Sequence, residues 1–550
     1  MDSQELDHSE LRSRLYSISS LILPIFILLY VGWRLANKRF IELAEKIPGP
    51  PGLPIIGNAL ELRGTPNEIF ENLYSKSEIY PDVARVWAGP RLLVFLTNPA
   101  DIEIVLSSHD HLDKSAEYDF LRPWLGNGLL VSTGEKWRSH RKIIAPTFHL
   151  NVLRSFMERF NRNSKKTLER LAKEGDNEFD IHDYMSEFTV EVLIETVMGV
   201  KKENEGRSCF DYAQAVMKLC DIVHLRHTKF YLRPDLVFYS SKYGSEQKSL
   251  LSVIHGLTEK VLKVKKAQFE NKIQDKHQET AEKEVLKETS ESKEGFSYGQ
   301  ASGLKDDLDV EDIGEKKRNA FLESILERAA NNDSINDKEV KEQLDTIMFE
   351  GHDTTAAASS FFLCMMAAHP DIQQKCYEEI MRVLGDSDRD ITFNDILEMK
   401  YLERCLMETL RLYPPVPIIA RQPKKEFKLA SKNLIIPANC TVVIGIIKLH
   451  RRADIYPNPE KFDPDNFLPE KSASRHYYSF IPFSAGPRSC VGRKYAMLKL
   501  KTILASTLRA FYVKPGYTEE EWKLKADIIL KRADGFRIKL EPRKETNAKN

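Results

Sequence analysis

The chain is expected to fold as a mainly α protein with small β-sheets, an α+β arrangement spread over 550 residues. Three observations predict this. Beyond Asn98, helical periodicity dominates. A short β-rich part lies near Asp82 to Leu96, where Val94-Phe-Leu96 follows the turn signal Gly89-Pro90. Finally, the nineteen residues from Leu15 to Trp33 carry no charge and are long enough to cross a bilayer, which sets the N-terminus apart from the body.

Taken in order, the uncharged run reads as a retained anchor. Pro24 is tolerated in a membrane helix, and no small-residue cleavage site follows Trp33. The basic residues Arg34, Lys38 and Arg39 after the run, against Arg12 and Arg14 before it, slightly favour a cytosolic body. The segment Ile47-Pro-Gly-Pro-Pro-Gly-Leu-Pro54 cannot be helical and reads as a stiff, extended hinge between membrane and body. Residues 271–315 are rich in charge and almost free of large apolar side chains, so they read as an exposed, partly disordered insertion. Helical pattern resumes near Lys316. A long helix is expected from about Asp337 to His369, opened by the capping pair Asn336 and Glu339 and closed at His369-Pro370. Further helices are expected at Asp371 to Leu384 and Leu397 to Leu412, the second closed by Pro414-Pro415-Val-Pro417. This divides the chain into an anchor region 1–46, a body 47–542 and a tail 543–550.

Lys and Arg number 81 and Asp and Glu 81, so no overall charge points to nucleic acid. Seven cysteines occur without a Cys-x-x-Cys pair, which suggests neither a disulfide framework nor a zinc site. Six read as small buried hydrophobes. Cys490 stands apart, because Phe483-Ser-Ala-Gly-Pro-Arg-Ser-Cys490-Val-Gly492 holds it in a glycine-bracketed loop directly before a helix-forming run, Arg493 to Leu500. Gly486 can take a positive φ, and Gly492 has no Cβ to hold off a flat cofactor. The helix start and Arg488 would favour the thiolate.

That loop resembles the haem-binding loop of the cytochromes P-450, Phe-x-x-Gly-x-Arg-x-Cys-x-Gly, and meets each fixed position with Phe483, Gly486, Arg488, Cys490 and Gly492. The resemblance implies the cytochrome P-450 fold, a haem b with Cys490 as axial ligand, and oxygen activation, since a thiolate pushes electron density onto iron. It also gives roles to other residues. Phe349-Glu-Gly-His-Asp-Thr-Thr355 resembles the distal helix, where Gly351 makes room for the cofactor and Asp353 and Thr354 match the acid and alcohol that manage protons. A threonine bonding back to a carbonyl four residues earlier is the plainer reading. Glu350 stands where most relatives have a small residue, and in the fourth family the matching glutamate can form an ester with a haem methyl group. Pairing with a nearby base is the alternative. Trp137, Arg141, Arg421 and Arg488 match groups around the haem propionates.

Glu408-Thr-Leu-Arg411 resembles the family's Glu-x-x-Arg pair behind the cysteine loop. Its usual third partner is an arginine in Pro-x-Arg-Phe, but this chain reads Pro464-Asp-Asn466-Phe467. Arg138, Lys142, Arg493, Lys494 and Lys499 form a candidate patch for an acidic flavoprotein. No nucleotide-binding fingerprint is present, so electrons are expected from an NADPH-dependent reductase, with cytochrome b5 as an additional candidate donor. Finer likeness, in Lys461-Phe-Asp-Pro-Asp-Asn-Phe-Leu-Pro-Glu470 and Arg475 to Lys501, is to the insect G subfamily of the fourth family. It implies an enzyme of the endoplasmic reticulum membrane that decarbonylates very-long-chain aldehydes to cuticular hydrocarbons. Terminal hydroxylation of fatty acids or other lipids is the alternative, and a catalytically silent haem protein a third reading.

Overall fold

The computed structural model describes Pro24 and residues 28–200, 208–278, 319–331 and 335–543. Helix α1 (Lys38–Glu45) is amphipathic and buries Ile41, Leu43 and Ala44. Helix α2 (Pro66–Ile79) starts at a capping box of Thr65 with Glu68. Strands β1 (Val83–Ala88) and β2 (Arg91–Leu96) pair antiparallel about a turn in which Gly89 takes φ +62. Helices then dominate, in the order α3 (Gly134–Ile144), α4 (Ile181–Thr196), α5 (Ser208–Thr228), α6 (Lys242–Gln278), α7 (Phe321–Ala330), α8 (Asp337–Ala368), α9 (Pro370–Leu384) and α10 (Lys400–Leu412). Strands β3 (Ile418–Arg421) and β4 (Thr441–Gly445) complete a sheet of order β1–β2–β4–β3, in which β2 and β4 run parallel. Helix α11 (Arg493–Ala510) follows the cysteine loop, and a hairpin of β5 (Leu524–Ala526) and β6 (Leu530–Arg532) comes after it. The fold is thus mainly helical with small sheets.

Helix α8 is the spine. Asn336 and Glu339 form the expected capping box, and the helix runs unbroken through its glycine and polar residues. From Thr355 to Ala367 every residue is buried, which is why this stretch is apolar or small on all faces. His369 caps its end before Pro370 opens α9.

Two expectations change in detail. The proline-rich segment is non-helical, but it does not stand off as a hinge. The Arg85 N–H of β1 donates to the Pro48 carbonyl (2.8 Å), the Arg85 Nε donates to the Ile47 carbonyl (2.8 Å), and Ile47 is buried. An extended backbone leaves its carbonyls free, and β1, an edge strand, has unpaired N–H groups to meet them. Helix α6 continues to Gln278, so Asn271 to Gln278, expected in the insertion, are helical. Residues 279–315 of that insertion and 544–550 of the tail lie outside the described residues, as does most of the 15–33 run. Among the described residues no helix is long and apolar enough to cross a membrane.

Candidate active site

The loop before α11 is built around backbone that only certain residues permit. Gly486 takes φ +70, and a Cβ there would lie 2.0 Å from the Leu106 carbonyl oxygen. Ser484 also has positive φ, which nothing in the sequence announced. The Cys490 N–H donates to the Phe483 carbonyl (2.9 Å) and closes the loop. Six of the seven cysteines are buried, whereas Cys490 opens onto a cavity of about 590 Å³. A Cβ at Gly492 would meet only the Cys490 Sγ, at 4.0 Å, so this glycine leaves the space beside the sulfur clear. Burial, reinforced by Glu350, pushes the thiol up to about 11, against the Gly492 N–H, Arg141 and Arg493. The expected stabilisation of a thiolate by the loop is therefore present but outweighed by desolvation. A cation at the sulfur itself reverses that balance.

Helix α8 passes the same cavity with Phe349, Glu350, Gly351, Thr354 and Thr355 on its wall. Burial raises the Glu350 carboxyl to about 7, opposed by Lys114, Arg141 and Arg488. The Thr354 hydroxyl donates to the Glu350 carbonyl (2.7 Å), the back-bonded geometry, and Thr355 does the same to Gly351 (2.7 Å). Gly351 does line the cavity, yet its missing Cβ also serves packing: a methyl there would lie 2.8 Å from Leu193 Cδ2 of α4. Asp353 is not on the cavity wall. It is fully buried on another face of α8, where Lys531 of β6 pairs with it at 2.8 Å. Burial pushes its carboxyl up, but Lys531, together with His352 and His182, outweighs burial and holds it below the usual range. Neighbours in sequence, Asp353 and Thr354 point to different environments because successive helical residues face different ways.

Trp137 and Arg141, one turn apart on α3, are buried on the cavity wall, and Arg141 donates to the Ser489 carbonyl of the cysteine loop (2.8 Å). Arg488 lies 4.8 Å over the Trp137 ring and donates to the carbonyls of Leu112 (2.9 Å), Leu129 (3.1 Å) and Ser132 (2.9 Å), so it also ties the loop to that segment. Arg421, at the end of β3, is buried close enough to lower Arg488 and Lys114 electrostatically but does not line the cavity. Lys114, which no motif marked, does line it, beside the Tyr118 hydroxyl at 3.4 Å. Burial first, then Arg421 and Arg488, pushes Lys114 well below its ordinary value, and burial brings Arg488 to about 9. The cations gathered here outnumber Glu350, the carboxylate set among them, and in low dielectric the excess is costly without a further anion. Among the described residues no group of three His, Cys, Asp or Glu could hold a bare metal ion. An open sulfur, a cleared space beside it and a ring of buried cations fit a flat, anionic cofactor that brings most of its own metal ligands.

Behind the loop, Glu408 and Arg411 are fully buried and doubly bonded, at 2.7 and 2.8 Å. Arg411 also donates to the carbonyls of His450 (3.0 Å), Pro459 (2.6 Å) and Lys461 (3.0 Å). Asn466 takes the third place, its Nδ2 donating to Glu408 Oε1 at 3.0 Å. The proposed docking patch does not hold together. Arg138 and Lys142 are exposed, but Arg493, Lys494 and Lys499 are buried, because the N-terminal half of α11 lies inside the fold. Lys499 instead donates to the Gly351 carbonyl (2.9 Å).

Residues 47–540 match the family model described as Cytochrome P450. Cytochrome P450 4g15 of Drosophila melanogaster is 53% identical over 95% of this chain and 96% of its own length. Cytochrome P450 4g1 of the same fly is 48% identical, covering 94% and 92%. Cytochrome P450 4V2 of Homo sapiens is 34% identical, covering 89% and 88%.

Proposed function

The chain belongs to the cytochrome P450 family, with G members of its fourth family among its relatives, and from that premise we propose that it converts long-chain aldehydes into hydrocarbons one carbon shorter. Membership makes it a monooxygenase with a haem held by a cysteine thiolate, a redox partner that delivers electrons, and a hydrophobic substrate. When bound, such a haem supplies oxygen activation.

The chain's own residues divide the remaining tasks. Cys490 is the ligand in this reading. Trp137, Arg141, Arg488 and Lys114 would hold the acidic edge of the cofactor, with Arg421 adding charge from off the wall, and Glu350 would be placed for an ester to a methyl of its rim, the two-electron oxidation of that C–H bond being supplied by the enzyme's own turnover of oxygen. Thr354 positions a proton donor at the cavity wall, while Asp353, kept ionised by Lys531, acts through the helix from its other side.

The observation that carries the substrate class is the course of the cavity. Besides Cys490 it is lined by Leu93 and Val443, by Ile69 and Phe70 of α2 and by Ala59. The lysines on that wall are already neutralised, Lys76 by Glu61 (2.8 Å) and Lys448 by Glu78 (2.5 Å). A hydrocarbon tail can lie there with its reactive end at Cys490. One observation favours terminal hydroxylation of a fatty acid instead: Arg233, also on the wall, has a buried Nε without a hydrogen-bond partner among the described residues. Residues 1–46, with the span 15–33, anchor the body to the endoplasmic reticulum membrane, where an NADPH-dependent reductase, with cytochrome b5 as a further donor, supplies electrons.

Reconstituted enzyme, reductase and labelled long aldehyde decide between the two. Shortened hydrocarbon supports the proposal. Hydroxylated acid, lost on Arg233→Gln, with no hydrocarbon from aldehyde, refutes it.

A further inference from the structure

Where the family has an arginine this chain has Asn466, and we propose that Arg475 supplies the missing guanidinium, acting through Asn466 as a positioning residue for the Cys490 loop. The inference rests on reading Cys490 as the haem ligand. Arg475 donates to the Asn466 backbone carbonyl (2.6 Å) and approaches its side-chain oxygen at 3.4 Å. The other end of that amide donates to Glu408 at 3.0 Å. The amide is therefore held in one orientation, oxygen toward the cation and nitrogen toward the carboxylate, and the cation polarises its N–H toward Glu408. Arg475 also lies 4.3 Å over the buried Tyr456 ring, which Arg411 faces at 4.8 Å. Among the described residues Arg475 makes no ion pair, so these contacts take up its charge. With Arg475 bonded to Asn466 and Arg411 bonded to Glu408, the cluster counts one carboxylate and two guanidiniums.

Four hydrogen bonds carry this cluster to the sulfur. Arg411 donates to the His450 carbonyl (3.0 Å), and His450 Nε2 accepts from the Ile481 N–H (2.9 Å). The Ser484 N–H donates to the Ile481 carbonyl (2.9 Å), and the Cys490 N–H to the Phe483 carbonyl (2.9 Å). Burial brings His450 to about 3, so it stays neutral and keeps Nε2 as an acceptor. A shift of Glu408 and Arg411 therefore reaches the cysteine loop through bonded backbone, not through general softening of the fold.

The test compares the full-length holoprotein with Arg475→Ala, Arg475→Lys and the double variant Arg475→Ala/Asn466→Arg. Two readouts are used: haem loss to an excess of an apo-acceptor protein, and the absorption of the reduced carbon monoxide complex, which separates thiolate from neutral thiol ligation. Arg475→Ala should lose haem on the order of tenfold faster, the worth of one hydrogen bond to a charged group, with a larger thiol-ligated fraction. Arg475→Lys should fall between, because it keeps the charge but not the planar fork. The double variant should return to within about twofold of wild type, since the two sites act as one unit. If Arg475→Ala yields no holoprotein while the double variant does, the proposal is supported. It is overturned if Arg475→Ala matches wild type, or if the double variant is no better than the single one. A wild-type protein without the thiolate signature would remove the Cys490 reading as well, whereas indifferent variants in a normal wild type remove this inference alone.

Discussion

Replacing Lys531 by methionine leaves Asp353 ionised, fully buried and without its cation. Breaking a buried pair by deleting one partner costs about 3–5 kcal/mol, because the remaining charge has neither water nor counter-ion. At roughly 2.1 cal/mol/K of unfolding entropy per residue, a body of about 500 residues loses roughly one degree per kcal/mol, so Tm should fall by about 3–5 °C near neutral pH. The pH dependence has a definite sign. In wild type Lys531 holds Asp353 low, so its contribution is complete above the unfolded value of about 3.9 and fades only as pH falls through the depressed value. In the variant burial, the largest influence on Asp353, is opposed only by His352 and His182 and raises it, so stability is lost as pH rises above about 4. The difference in Tm should therefore be widest near neutrality and shrink on acidification. Scanning calorimetry of both holoproteins across that range is the assay. The double variant Lys531→Met/Asp353→Leu should recover most of the loss, since an apolar pair of similar volume is tolerated at such sites. A Tm change below one degree, or a gap that widens in acid, would refute the reasoning.

Other expectations concern the cavity. Cys490→Ala should abolish the thiolate signature of the carbon monoxide complex while the fold, followed by circular dichroism, persists. Glu350→Gln should release all haem on acid extraction, whereas active, turned-over wild type keeps part of it; complete release from wild type would count against the ester. Gly351→Ala places a methyl 2.8 Å from Leu193 Cδ2 and should cost about 1–3 kcal/mol by overpacking, read as a lower Tm in calorimetry.

How much of this was legible depends on where the interactions lie along the chain. The capping pair of α8, the hairpin at Gly89 and the Glu408–Arg411 pair all depend on residues within a few positions of each other, so local pattern reports them. Lys114 escaped because nothing beside it in sequence marks a cation, and its significance arises only when Arg421 and Arg488 are brought near it. Lys531 lies 178 residues from Asp353, and the proline-rich segment could be read as a hinge only until its carbonyls met the edge of β1. The buried lysines of α11 show the same limit, since a basic helix face reads as solvated until its packing is known.

The amino-acid sequence alone, through one cysteine loop and a handful of short motifs, was enough to name the family, the cofactor and the fold class. It could state the spacing of Asp353 and Thr354 but not that one faces the cavity and the other a lysine. It could register the loss of an arginine at Asn466 but not its replacement by Arg475. Those outcomes required the folded chain, because burial, electrostatic pairing and the course of a cavity are properties of residues distant in sequence and adjacent only in space.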